Sequence, residues 1–160
     1  MMKAFFQATQ SISQLTQLIL TSFELQHLRP VSESQKLTQQ PIDEHFFLRN
    51  QRIYCNNFSR FIQQPHTMLD LFFHLTQYPD AKASTETLRH LRLALRKLTQ
   101  PLSENPLARQ RFIQLFDQPN VVSRAIVPMH QLGLLTAYLP QWIGIQGLMQ
   151  FDLFHIYTVD

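Results

Sequence analysis

The sequence predicts an all-α fold, a single helical domain of roughly six helices, on three observations. Only three glycines occur in 160 residues, Gly133, Gly144 and Gly147, so the residue that tight hairpins favour is scarce. Nine prolines are spread along the chain and act as punctuation. Between them, apolar residues recur mainly at three- and four-residue steps, the spacing of one helical face.

Taken in order, Phe5, Ile12, Leu15, Leu18, Ile19, Phe23 and Leu25 predict an amphipathic helix of about six turns over residues 3–27. A polar linker follows over 28–44, where "RPVSESQKLTQQP" lies between Pro30 and Pro41 without periodicity. "HFFLRNQRIYCNN" is the one stretch with some extended character, but Phe47, Arg49, Ile53 and Tyr54 do not alternate cleanly, so a short irregular or strand-like segment is expected near 46–54. From Phe58 a helical bundle is expected over 58–150. In "PHTMLDLFFHLTQYP", Met68, Leu71, Phe72 and Leu75 share a face, with Pro65 in the first turn and Pro79 just past the end. Ser84 opens "STETLRHLRLALRKLTQP", where Leu88, Leu91, Leu95 and Leu98 form the buried stripe and Arg89, Arg92 and Arg96 flank it. Arg96 and Lys97 fall in the last turn, where cations complement the helix dipole. Asn105 is an N-cap and Pro106 the first helical residue of the next helix, with Leu107, Phe112, Ile113 and Phe116 expected inward. Pro119 and Asn120 restart the chain, and Val121, Val122, Ile126 and Val127 lead to Pro128. The anchors of the core are expected to include Phe72, Leu91, Leu95, Phe112, Phe116, Tyr138 and Trp142.

Composition narrows the function classes. Hydrophobic content of 44% is that of a packed chain rather than a disordered one. The net charge of +3 and pI near 9.3 are mildly basic. The densest basic run, "RHLRLALRKL", reads as a solvated helix face, so no nucleic-acid partner is expected. Cys55 is the single cysteine, which predicts no disulfide and no thiolate metal cluster and fits a reducing cytoplasm. No apolar run reaches the length of a membrane span, so no membrane partner is expected either.

Chemistry is sparse. The chain has no glycine-rich phosphate loop and no HExxH. His27, His45, His66, His74, His90, His130 and His155 are scattered, with no two at metal-ligand spacing. Asp152 and His155, three apart, are the nearest approach to a constellation, since a carboxylate there could orient the imidazole. A structural role for that pair weighs more. No catalytic, cofactor-binding or metal-binding residue is assigned, and the chain does not qualify as an enzyme by itself.

The C-terminal third carries a resemblance. "VPMHQLGLLTAYLPQW" followed by "QFDLFHIYTVD" resembles the bifunctional PII uridylyltransferase/uridylyl-removing enzyme family of proteobacteria. The likeness extends back through "LRHLRLALRKLTQPLSENPLARQRFIQLF", "QPIDEHFFLRNQRI" and "KAFFQATQSISQLTQLILTSFE", nearly the whole chain. It implies a parent with a nucleotidyltransferase domain, a helical region, an HD phosphohydrolase domain and two glutamine-sensing ACT domains. It also implies PII as protein partner, UTP as substrate, and Mg or Mn in the parent. None of the family's catalytic residues matches a position here. The nucleotidyltransferase motifs would precede Met1, and the HD metal ligands would follow residues 151–160, which read as the lead-in to a missing HD domain. His155 does not match a ligand. "MMKAFFQATQ" resembles an internal helix, so the chain is expected to be an excised piece or the product of a short reading frame. The expected function is a fragment of that enzyme, a helical scaffold between catalytic domains and inactive alone. The alternative is a free-standing helical interaction module that binds PII or another protein.

Overall fold

A computed structural model of the protein describes residues 8, 9, 11–13, 15, 16, 19 and 39–145. The chain divides into two units, Met1–Ser32 with Pro140–Asp160, and Glu33–Leu139. In the first, the described residues between 8 and 19 are helical and are labelled α1, with Ile12, Leu15 and Ile19 exposed. The rest of the expected 3–27 helix, and the lead-in with Asp152 and His155, lie outside the described residues. A short helix, Trp142–Ile145, belongs to the same unit.

The second unit corrects the all-α expectation, because it contains a four-stranded mixed sheet in the order β1-β2-β3-β4. Strands β2 (Phe46–Arg49) and β3 (Arg52–Cys55) form an antiparallel hairpin in which Phe46 faces Cys55 and Leu48 faces Ile53. The turn residues Asn50 and Gln51 both have positive φ, 50° and 55°, as a two-residue hairpin turn of matching twist requires. The two-residue β1 (Gln40–Pro41) lies within the stretch read as linker and pairs antiparallel with β2. Pro41 is tolerated there because an edge strand need not donate every N–H. Strand β4 (Lys82–Ala83) adds parallel to β3, with Lys82 donating to Gln51 and Ser84 to Ile53, both at 2.9 Å.

Between β3 and β4 run α2 (Arg60–Gln63) and α3 (Thr67–Gln77). Met68, Leu71, Phe72 and Leu75 of α3 are all buried, as their spacing predicts. Helix α4 (Thr85–Leu95) starts at Ser84, whose hydroxyl accepts from Thr87 N at 3.1 Å. Thr87, fully buried, is tied to the sheet: its hydroxyl accepts from Cys55 N at 3.1 Å and faces Ile53 O at 3.5 Å. A 3-10 turn at Leu102–Glu104 precedes α5 (Pro106–Leu115). Asn105 caps α5 as expected, accepting from Leu107 N and Ala108 N at 3.0 and 3.1 Å.

A π turn over Val122–Ile126 closes with Val127 N donating to Val122 O and runs into α6 (Val127–Leu132). The wider turn fits Pro128, whose ring would strike the carbonyl four residues back in a regular helix and which has no N–H to donate. Gly133, at φ +82°, ends α6 and starts α7 (Leu134–Tyr138). The core of this unit joins Phe46, Ile53, Phe61, Phe72, Leu91, Leu102, Leu115, Met129 and Leu134. Phe72, Leu91 and Tyr138 are buried anchors as predicted, whereas Leu95, Phe112 and Trp142 are half-buried. Three residues expected inward on α5 point outward: Leu107, Ile113 and Phe116 are exposed, and the small Ala108 with Leu115 fills the interior.

Candidate functional site

A groove of about 430 Å³ in the second unit is lined by three carboxylates, two imidazoles and one guanidinium. Asp43, Glu44 and His45 from the segment before β2 form one wall, and His66 and Asp70 of the α3 region with Arg111 and Gln114 of α5 form the other. Its two aspartates are each fixed by an element distant in sequence.

Asp43 Oδ1 accepts from His45 N at 2.7 Å and Phe46 N at 2.8 Å, which caps the entry into β2. Its other oxygen lies 2.6 Å from His74 Nε2, on α3. Burial pushes this carboxyl up, but the two amides and His74 outweigh burial and leave it below the ordinary carboxylate value. His74 also packs edge-on to Phe46, with ring centroids 5.3 Å apart. Asp70, buried on α3, faces Arg111 Nε of α5 in an ion pair held by charge more than by an aligned hydrogen bond. The Arg111 guanidinium lies 4.6 Å from the centre of the Phe73 ring and donates to Gln114 Oε1 at 3.1 Å. Glu44 and His45 form a rim pair at 2.9 Å.

Of the other histidines, His90 stacks on Phe58 at 3.7 Å with Nδ1 2.9 Å from Glu86 O, and His130 lies on α6. His27 and the Asp152–His155 pair lie outside the described residues. Cys55 is buried in β3, 3.4 Å from Asn57 O, and burial pushes its thiol up, away from nucleophilic use.

Sequence reasoning missed Asp43, Asp70, Arg111 and Arg124. Beside the local bonds of Asp43 and Arg111, their partners on other elements are 31 to 49 residues away, beyond any local motif; for Arg124 these are backbone carbonyls at the end of α3. One signal was present: Asp70 interrupts the apolar run "MLDLFF", and a carboxylate on a buried face needs a cation. The groove does not fit the divalent metal that the resemblance implies for the parent. Such an ion needs carboxylates that are free to bind it, and Asp43 and Asp70 are already committed. Among the described residues, no three His, Cys, Asp or Glu side chains converge as metal ligands. What this arrangement can do is clamp β2, α3 and α5 together.

The family described as the uridylyltransferase GlnD third domain matches residues 46–138. Over its full length the chain is 50% identical to the bifunctional uridylyltransferase/uridylyl-removing enzyme of Haemophilus influenzae (strain PittEE), 48% to that of Pasteurella multocida and 39% to that of Vibrio cholerae. In each case it spans 18% of the relative's length. No solved structure matches it. With 93 consecutive residues matched by the family and the whole chain matched by its members, the protein belongs to the uridylyltransferase GlnD family, as a segment that contains the third domain.

Proposed function

We propose that this chain is the packing segment of a bifunctional uridylyltransferase/uridylyl-removing enzyme and supplies geometry rather than catalytic groups. It would hold the catalytic domains of a cytoplasmic parent that acts on the PII protein with UTP and a divalent metal. The observation that carries this reading is the commitment of the groove's two aspartates, Asp43 to His74 and backbone amides and buried Asp70 to Arg111, in a chain alike over its whole length to 18% of the relatives. Incubation of the purified chain with PII, UTP and magnesium is expected to leave PII unmodified, and uridylylated PII is expected to stay intact. Modification by the chain alone would overturn the reading. Heat on calorimetric titration with PII would favour the interaction module instead.

A further inference from the structure

The outer side of the sheet is cationic. Phe46, Ile53 and Cys55 turn to the core, so strand alternation sends Phe47, Arg49, Arg52 and Tyr54 to the other side. Arg49 pairs with Arg52 across the hairpin, and Arg52 with Lys82 across the parallel join to β4. Three cations therefore stand in one row over three neighbouring strands, about 10 Å from end to end. Like charges directly opposite one another across strands repel. Among the described residues none of the three forms an ion pair, and Asp80, in the turn before β4, forms none either. The row is also braced. Arg49 lies 4.5 Å from the centre of the Tyr54 ring, and Tyr54 stacks on Phe47 at 5.2 Å. A guanidinium held over a ring loses less freedom when it pairs with a carboxylate.

Self-repulsion kept in one register row, on a braced guanidinium, is accounted for by negative charge laid against it. We propose that the Arg49–Arg52–Lys82 row docks a carboxylate-bearing surface of a flanking part of the same long polypeptide. This rests on the reading of the chain as one segment of a longer enzyme. The row lies on a sheet face, whereas small anionic ligands take concave sites. Three cations neutralise at most about three phosphates, too few for a nucleic-acid track. Residues 1–38 carry only Glu24 and Glu33 against Lys3, Arg29 and Lys36, so the chain's own leading segment brings no surplus of negative charge. The chain spans 18% of its relatives, and the flanking polypeptide is the remainder.

The test is zero-length carbodiimide cross-linking, which joins Lys82 Nζ to a carboxylate in contact with it, followed by peptide mapping. It is run on the chain alone and on the H. influenzae relative with this chain in place of its matching region. In the long protein Lys82 should be joined to an aspartate or glutamate outside this chain, and Arg52→Glu should cut that product about tenfold. In the chain alone Arg52→Glu should leave the melting temperature unchanged or raise it, since it relieves the row. A lowered melting temperature there would show the row already paired within the chain, and overturns the proposal. So does a long protein in which Lys82 is joined to nothing, or only to carboxylates of this chain, in the same copy or in a second one found by sedimentation. An oligonucleotide bound by the chain and released by Arg52→Glu overturns it too, as a nucleic-acid face. Uridylyl transfer by the long protein is read in parallel. Lost activity with the product formed sinks the functional reading and keeps the docking face; full activity without the product does the reverse.

Discussion

Arg124 closes the C-terminal end of α3. Its guanidinium donates to Leu75 O at 3.2 Å and Tyr78 O at 3.0 Å, and also to Ala81 O. Leu75 O lacks its regular helical donor because residue 79 is Pro, whereas Tyr78 O also accepts from Ala81 N at 2.9 Å. Because the bonds are charge-assisted and the site is half-buried, Arg124→Ala should cost about 2–3 kcal/mol in urea unfolding, and Arg124→Lys should recover only part of that. Asp43 sets a pH dependence. Its folded carboxyl titrates below the ordinary 3.8, so its contribution is fully present above that value and is lost as pH falls through the lower folded one. Asp43→Asn should therefore destabilise the protein at neutral pH and flatten the fall in urea midpoint below about pH 4. An unchanged acid slope would remove Asp43 from the account.

At the scale of elements, what the sequence disclosed was local. Ser84, Asn105 and Pro106 mark helix starts because a cap acts within three residues of itself. The α3 stripe was equally plain. The sheet was not. Its hairpin turns on Asn50-Gln51 without a glycine, and its outer side carries Phe47 stacked on Tyr54 at 5.2 Å, with Arg49 over the Tyr54 ring. Aromatic residues on both sides of the sheet erase the alternation that would announce strands. The polar groove was hidden for a different reason, since each of its clamps joins elements far apart in sequence. At the turn, Gln51 holds a left-handed conformation that costs a side chain roughly 1 kcal/mol. Gln51→Gly should raise stability by about that amount, read as a higher melting temperature. Phe72→Ala, in the middle of α3 and fully buried, should lower it by about 3–5 kcal/mol.

For the whole molecule, the sheet, the clamps and the capped helices share one character, for they spend their polar groups on joining elements. At the outer side of α5, Ile113 and Phe116 are exposed. Nothing in that arrangement requires the segment to bind nucleotide or metal itself. Ile113 and Phe116 were legible in the sequence as apolar, but not as outward-facing, because Ala108 and Leu115 satisfy the core with less volume than the spacing of Phe112 and Phe116 suggests. The central claim is that this chain supplies geometry to a long enzyme. The most direct measurement puts it in place of the matching region of the H. influenzae relative and assays uridylyl transfer and removal on PII, beside the chain alone. Both activities in the long protein and neither in the chain alone are predicted. A folded long protein that lacks both, or a chain that modifies PII unaided, would contradict it.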